Sequence, residues 1–290
     1  MTELGKAATL KTGSESARAL VSVRMGVVQR MGTQASANGA VELQSVPVLL
    51  YHSVSDDTGS LFVTSPRRFS EHTRAIVAAG RTGLTAETFA RCLQGTSEWP
   101  EKPIVVTLDD GHLDSVDALE TLAENGLPAT VYVATSLIGS SGRLDASGLR
   151  HLADLPHIEI GAHSVHHERL DELPRHIAER EIRDSRRYLE DITQQPIGSF
   201  AYPFGAYDRW VRDVVVDVGF DSAAAVKGAL SRPGDDPHAF ARLAVLSTTT
   251  ARTLDHWMQG RGAPVVSEGD RWWKSAERSV RRMRRRLQHI

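Results

Sequence analysis

The sequence of 290 residues contains a single cysteine, Cys92, so no disulfide within the chain and no metal site built from cysteines alone is expected. It has no apolar run near the roughly 18 residues that a transmembrane helix requires. Its first forty or so residues are interrupted throughout by polar and charged side chains, unlike a secretory signal peptide. These absences predict a cytoplasmic protein in a reducing compartment.

The chain also lacks a strong excess of charge, since 34 lysines and arginines nearly balance 36 aspartates and glutamates. A net charge of −2 argues against nucleic acid as a partner. The balance is uneven, because residues 271–290 carry seven arginines and one lysine against one glutamate. Apolar residues recur there at helical spacing, at Trp272, Ala276, Val280, Met283 and Leu287. This pattern predicts a basic amphipathic helix over 263–290, which either contacts the inner face of a membrane peripherally or packs on the protein body.

The rest of the chain divides into a flexible or helical leader over 1–43 and one large domain over 44–262. In this domain short apolar runs of strand type alternate with segments of helical period. The predicted strands are 46–54, 103–108, 128–134, 157–162, 198–203 and 220–226, and the predicted helices are 69–79, 86–93, 115–124, 173–192 and 208–218. Such alternation predicts an α/β fold and favours a (β/α) barrel of about seven parallel strands, with helical extensions at both ends.

Ionisable residues directly follow several of the predicted strands, where barrel enzymes place their chemistry. Asp109 and Asp110 end the run 103–108, and two adjacent carboxylates are costly to bury without a cation or a proton between them. The alternative is a solvated turn in which an aspartate caps the next helix. Both interpretations remain open for this pair alone.

Three histidines follow the strand 157–162 within five residues. His163 and His167 are four residues apart and could meet on one side of a helical turn, while His166 competes as the second ligand at a spacing of three. Two imidazoles and one carboxylate leave positions free for water and substrate, as hydrolytic zinc sites require. The histidines and aspartates together therefore favour a metal site.

Three spaced motifs make the sequence resemble a known family. They are Thr-Leu-Asp-Asp-Gly at 107–111, His-Ser-Val-His-His at 163–167 and Phe-Ala-Tyr-Pro-Phe-Gly at 200–205. In this order they resemble the polysaccharide deacetylases, which are the family-four carbohydrate esterases with the NodB homology domain. The resemblance covers roughly 46–260 and implies a distorted (β/α) barrel.

The resemblance also implies roles for individual residues. Asp110, His163 and His167 would bind a divalent metal, with Zn²⁺ as the expected ion, and Asp109 would be the general base. The third motif supplies Tyr202 and Phe204 to the substrate side, with the main-chain N–H of Phe204 helping to hold the oxyanion. His112 stands where relatives place an aromatic residue, so it is expected in the substrate wall, with a third metal-site histidine as the weaker alternative.

Two residues of the family pattern are missing from this sequence, and other residues must take their roles. Ala201 occupies the position of an arginine that pairs with the base, and Arg242 is the candidate partner of Asp109, with a surface salt bridge as the alternative. The late histidine that serves as general acid is missing. Tyr51-His52 resembles the permuted subgroup of poly-N-acetylglucosamine deacetylases, in which the acid comes from the first strand. His52 is therefore the predicted acid, the alternative being a structural histidine.

These assignments predict a metal-dependent de-N-acetylase that acts on an N-acetylated amino sugar. Because no export signal is seen, the expected substrate is a lipid-linked or nucleotide-linked sugar or a small amino-sugar metabolite, with a glycan as the family's usual substrate. A catalytically weak glycan-binding protein is the alternative from another class. A glycosidase that uses Asp109 and Asp110 is disfavoured, because adjacent residues rarely reach the separation of about 5 Å or more that such pairs need.

Overall fold

The computed structural model describes residues 45–264 with the exception of residue 58. The predicted leader over 1–43 lies outside these residues. The predicted basic helix does too, apart from positions 263 and 264, which are not helical. No helix in the described part of the chain combines the length and apolarity needed to cross a membrane.

Strands and helices alternate along the described residues. The strands are β1 (Val48–Tyr51), β2 (Ser53–Val54), β3 (Val63–Thr64), β4 (Thr82–Leu84), β5 (Pro103–Leu108), β6 (Ala129–Val133), β7 (Ile158–Ala162), β8 (Ser199–Ala201), β9 (Ser222–Ala224) and β10 (Leu243–Ala244). The helices are α1 (Pro66–Ala78), α2 (Ala86–Leu93), α3 (Val116–Glu124), α4 (Ala146–Asp154), α5 (Arg175–Thr193), α6 (Arg209–Val218) and α7 (Ala251–Met258).

Seven strands form one curved parallel sheet in the order β10-β1-β5-β6-β7-β8-β9. β4 pairs with the first half of β5, whose second half pairs with β6. A single bridge between Ala224 and Phe240 connects β9 to the segment that leads into β10. The sheet thus curls into a half-barrel with helices around it, which confirms the predicted distorted (β/α) barrel.

Local sequence accounts for most of the element boundaries. The predicted strand 103–108 and the predicted helix 86–93 coincide with β5 and α2. α1 begins three residues earlier than predicted, because the Ser65 side chain caps its first turn and Pro66 suits the first helical position. The prediction omitted α4, in which only Leu149, Leu152 and Ala153 are buried, and the short strands β3, β4 and β10. Strands of two or three residues carry too few apolar repeats to be recognised from periodicity.

The core lies on both faces of the sheet. All six residues of β5 are buried, as expected for a strand covered on both sides. α5 covers the outer face with Ala178, Ile182 and Leu189, which are fully buried, while its arginines remain on the other side. This packing leaves the carboxyl ends of the strands as the place where polar side chains gather.

Glu159, near the amino end of β7, has a partly buried side chain whose carboxyl group is shielded from solvent. Oε2 of Glu159 accepts a hydrogen bond from the backbone N–H of Glu87 in the first turn of α2, at 3.1 Å. Its Oε1 is shielded from solvent and has no hydrogen-bond partner among the described residues. Burial raises the pKa of Glu159 to about 7, against the opposing effect of hydrogen bonds from Thr85 and Glu87.

We expect Glu159→Gln to remove part of the pH dependence of stability. Between the unfolded pKa of 4.5 and the folded value of about 7, the folded chain binds a proton that the unfolded chain has lost. The contribution of Glu159 to the free energy of unfolding therefore declines as pH rises. The total loss at pH 8 is on the order of 3 kcal/mol. The amide stays neutral, so the variant gains stability over wild type as pH rises.

Urea unfolding of the metal-free chain from about pH 5 to pH 8 measures this difference in the free energy of unfolding. Glu101→Gln, at an exposed position, is the matched control and should follow wild type. Parallel pH curves for wild type and Glu159→Gln would contradict the assignment.

Candidate metal and catalytic site

The polar cluster of the barrel is built at the carboxyl ends of β1, β5 and β7. Parallel pairing aligns Tyr51 with Leu108, and the backbone N–H of Asp109 donates to the Tyr51 carbonyl at 2.9 Å. His52 and Asp109, the next residue on each strand, are therefore neighbours. His163 follows β7, and its backbone N–H donates to the Val133 carbonyl at the end of β6. The sheet register thus brings together residues far apart in sequence.

Asp110, His163 and His167 form a group that could hold a metal ion. One ligand atom from each lies within 4.8 Å of the others. Oδ1 of Asp110 is 3.2 Å from Nε2 of His167 and 3.7 Å from Nε2 of His163. This oxygen is buried and has no hydrogen-bond partner among the described residues, which is costly unless a cation binds it. The donor set of two imidazole nitrogens and one carboxylate oxygen fits a divalent metal.

The His163 imidazole is held in the neutral tautomer that a metal ligand requires. Its Nδ1 is 2.8 Å from the carbonyl oxygen of Ala201, which can only accept, so Nδ1 carries the proton. Burial lowers the pKa of His163 and outweighs the opposing charges of Asp109 and Asp110, so the imidazole is neutral. Nε2 therefore presents its lone pair to the group.

The turn that carries His167 is not helical, so the predicted helical turn is wrong. Ser164 and His167 have positive φ angles of 62° and 57°, which bring the two imidazoles together by a tight loop. The Ser164 hydroxyl accepts a hydrogen bond from the His167 backbone N–H at 3.0 Å. The centroids of the His163 and His167 rings are 4.7 Å apart.

His166, the competing ligand, lies outside the group. Its side chain is 62% exposed, and its Nδ1 is 2.6 Å from Oε1 of Glu181 on α5. The loop therefore directs His167 to Asp110 and His166 to Glu181.

Backbone strain is concentrated at this end of the barrel. Six non-glycine residues of the described chain have positive φ, and four of them lie at the site: Asp110, Ser164, His167 and Phe204. Such conformations cost on the order of 1–3 kcal/mol each and persist only where the surrounding structure imposes them. Their concentration here indicates a functional site.

Asp109 is bound by a buried arginine. Nη1 and Nη2 of Arg242 donate to its two carboxylate oxygens at 2.6 and 2.8 Å, in bidentate geometry. Arg242 is fully buried and also donates to Oγ1 of Thr107 and the carbonyl of Ala225, with its guanidinium 5.3 Å from the centre of the Tyr132 ring. The pair is thus an interior one and not the surface salt bridge that the sequence left open.

The groups around the two aspartates keep both ionised. Burial raises the pKa of Asp109, but the positive charge and the hydrogen bonds of Arg242 more than offset this effect, and the net pKa lies below its usual range. Burial also raises the pKa of Asp110, but the neighbouring imidazoles, His112 first, lower it strongly. Both groups are therefore carboxylates at neutral pH.

His52 lies beside Asp109 in an apolar setting. Its ring centroid is 4.8 Å from that of Phe62, and its Nδ1 is buried with no hydrogen-bond partner among the described residues. The Ser115 hydroxyl donates to its carbonyl at 3.0 Å. Burial lowers the pKa of His52 despite the nearby carboxylates of Asp109 and Asp110. Its role as general acid stays a prediction.

The structure separates the two residues of the third motif. Phe204 is 59% exposed, and its ring centroid is 4.7 Å from that of His167, so it borders the site. The Tyr202 side chain is fully buried, stacks on Tyr207 and donates its hydroxyl to the His238 carbonyl at 2.8 Å. The Tyr202 side chain therefore belongs to the core, and the place of this residue on the substrate side stays a prediction.

His112 and Arg143 flank Asp110. Nε2 of His112 is 3.7 Å from Oδ2 of Asp110, so this histidine adjoins the site without joining the three-residue group, and its place in the substrate wall stays a prediction. Nη1 of Arg143 donates to the backbone carbonyl of Asp110 at 2.7 Å. Arg143 and Glu181 were not predicted as site residues, since neither lies in a motif or directly after a strand.

Comparisons with known proteins show what this chain is similar to. Residues 96–223 match the family model for polysaccharide deacetylase. This segment of the chain is similar to the polysaccharide deacetylases. YxkH of Bacillus subtilis (strain 168), named as a polysaccharide deacetylase, is 26% identical over 189 residues, which are 64% of this chain and 67% of that protein. These similarities support a hydrolase that acts on acetylated carbohydrate.

Several solved structures share the fold of this chain. The polysaccharide deacetylase BC0361 from Bacillus cereus is 26% identical with a TM-score of 0.66, over 74% of this chain and 69% of that one. The deacetylase PplD of Streptococcus pyogenes is 20% identical with a TM-score of 0.69, over 74% and 99% of the two chains. IcaB from Ammonifex degensii is 22% identical with a TM-score of 0.67, over 75% and 98%.

Proposed function

We propose that this protein is a metal-dependent carbohydrate de-N-acetylase that hydrolyses the acetamide of an N-acetylated amino sugar. The observation that carries the proposal is the group formed by Asp110, His163 and His167 beside a carboxylate, Asp109, that is held by Arg242. The family match and the names of the relatives support the same reaction class.

The metal would be bound by Asp110, His163 and His167, and zinc suits this mixture of nitrogen and oxygen donors. A bound divalent ion supplies positive charge, which polarises the acetyl carbonyl and makes water more acidic. His163 and His167 contribute neutral nitrogens, while Asp110 contributes the one negative charge of the set.

Asp109 is the proposed general base. Its Oδ2 lies 3.7 Å from Nε2 of His163, at the edge of the metal group, so a water located there is within its reach. The base takes one proton from this water as the oxygen forms a bond to the acetyl carbon. Arg242 keeps the carboxylate ionised and orients both of its oxygens.

His52 and Phe204 serve the second half of the reaction. The oxyanion accepts a hydrogen bond from the main-chain N–H of Phe204, whose backbone has a positive φ of 58°. The C–N bond then breaks, and His52, which must be protonated for this step although burial disfavours its charged form, donates a proton to the leaving amine. The products are acetate and the free amino sugar.

A glycan-binding protein with little activity is the competing hypothesis, suggested by Ala201 in place of the family's arginine and by the missing late histidine. The ion pair between Arg242 and Asp109 answers the first point, because Arg242, directly before β10, supplies a positive charge to the base. His52 is the proposed replacement for the late histidine. We therefore favour the enzyme.

The decisive experiment measures acetate released by the zinc-loaded protein from N-acetylated oligosaccharides, lipid-linked and nucleotide-linked N-acetyl sugars and small acetylated amino sugars. We expect release from at least one class, and a fall in kcat of about 10² to 10⁴ for His52→Gln, since the acid is lost. His151→Gln removes an exposed histidine that pairs with Glu120 and should match wild type. Stoichiometric zinc without acetate from any substrate would favour the glycan-binding hypothesis.

A further inference from the structure

Glu181 is a buried carboxylate that the proposed reaction does not use. It lies in the first half of α5 and is only 6% exposed, although glutamate is rarely buried without a partner. α5 packs against β7, the strand that leads into His163. Glu181 therefore lies beneath the loop that carries the metal ligands.

Both carboxylate oxygens of Glu181 bind this loop. Oε2 accepts hydrogen bonds from the backbone N–H groups of Val165 and His166 at 3.0 and 2.8 Å. Oε1 is 2.6 Å from Nδ1 of His166. Three contacts from one side chain thus hold two consecutive residues between the ligands His163 and His167.

The loop needs such support because its conformation is intrinsically unfavourable. Ser164 and His167, on either side of the bound residues, both have left-handed backbone angles. The hydrogen bond from the His167 N–H to the Ser164 hydroxyl closes the turn but leaves the N–H groups of Val165 and His166 without acceptors of their own. Oε2 of Glu181 accepts a hydrogen bond from each of these N–H groups, and both bonds are strengthened by the charge of the carboxylate.

We propose that Glu181 is a positioning residue of the metal site, which fixes the loop so that His167 faces Asp110 and His166 does not. The inference rests on the proposed metal-dependent function and extends it to a residue outside the ligand set. It assigns His166 to the support of the loop, since its Nδ1 is engaged by Glu181.

Zinc affinity of the full chain, measured by calorimetry after removal of metal, tests this. We expect Glu181→Ala to bind zinc about 10- to 100-fold more weakly than wild type, the usual effect of removing a group that orients a ligand. Glu181→Gln retains one acceptor oxygen, so its zinc affinity should lie between those of wild type and Glu181→Ala. Glu179→Gln, which changes a partly exposed charge on the same helix, should leave the affinity unchanged.

Two further measurements separate positioning from a general loss of structure. The visible absorption spectrum of the cobalt-substituted protein should change in Glu181→Gln, because the ligand geometry changes, while the far-ultraviolet circular dichroism of the metal-free variant stays native. His166→Ala should still bind zinc, whereas His167→Ala should not.

Wild-type affinity and an unaltered cobalt spectrum in a folded Glu181→Gln or Glu181→Ala variant would overturn the proposal, and the deacetylase function would stand. Loss of zinc in His166→Ala but not in His167→Ala would also overturn it. A wild-type chain that binds no zinc would overturn both this inference and the metal-dependent function.

Discussion

Asp109→Asn is expected to lower kcat by about 10² to 10⁴ while zinc still binds, because the amide cannot take the proton from the attacking water. The substitution keeps the size of the side chain and one acceptor oxygen for Arg242. Steady-state acetate release gives kcat, and calorimetry with zinc gives the affinity. The loss should appear mainly in kcat, since the base acts in the transition state.

Comparison with Asp110→Asn distinguishes the roles of the two adjacent carboxylates. The adjacent aspartate is a ligand in the proposed site, so this variant should lose zinc affinity together with activity. If instead Asp109→Asn lost zinc and Asp110→Asn retained it, the roles of the two carboxylates would have to be exchanged. Full activity in Asp109→Asn would exclude it as the base.

Arg242→Met has the second large expected effect, on stability as well as on activity. Removing one partner of a buried ion pair leaves Asp109, which is 3% exposed, as an uncompensated charge. We expect the free energy of unfolding to fall by about 3–5 kcal/mol, as is usual when such a pair is broken. Urea unfolding at neutral pH measures this change.

The same variant should alter the pH profile of kcat/KM. Burial raises the pKa of Asp109, and in wild type the positive charge and the hydrogen bonds of Arg242 outweigh this effect. Without Arg242 the pKa of the base rises, so activity is lost at a higher pH as the solution is acidified. The acidic limb of the profile should therefore move toward neutral pH.

Two comparisons make the Arg242 result specific. Arg242→Lys keeps the charge but cannot bind both carboxylate oxygens, so it should recover part of the stability and little of the activity. Arg212→Met breaks the more accessible pair with Asp236 and should cost no more than about 1 kcal/mol. An Arg242→Met protein with wild-type stability and pH profile would show that the ion pair is unimportant.

The sequence alone located the strand ends that form the site. Asp109, Asp110 and His163 each follow an apolar run directly, and parallel strands bring their carboxyl ends to one edge of the sheet. The alternation of strands and helices was sufficient to predict the barrel, because burial on both faces leaves a strong local pattern. These properties depend on neighbouring residues, and so they can be read from the chain itself.

Other features depend on which residues meet across the barrel, and only the tertiary structure decided them. The spacing left His166 and His167 as alternatives, and the loop geometry and Glu181 distinguish them. Arg242 is 133 residues from Asp109 along the chain, so no local pattern separates an interior ion pair from a surface one. Tyr202 lies in a motif, yet its side chain points into the core. Each outcome depends on long-range packing, which the periodicity of a single segment does not encode.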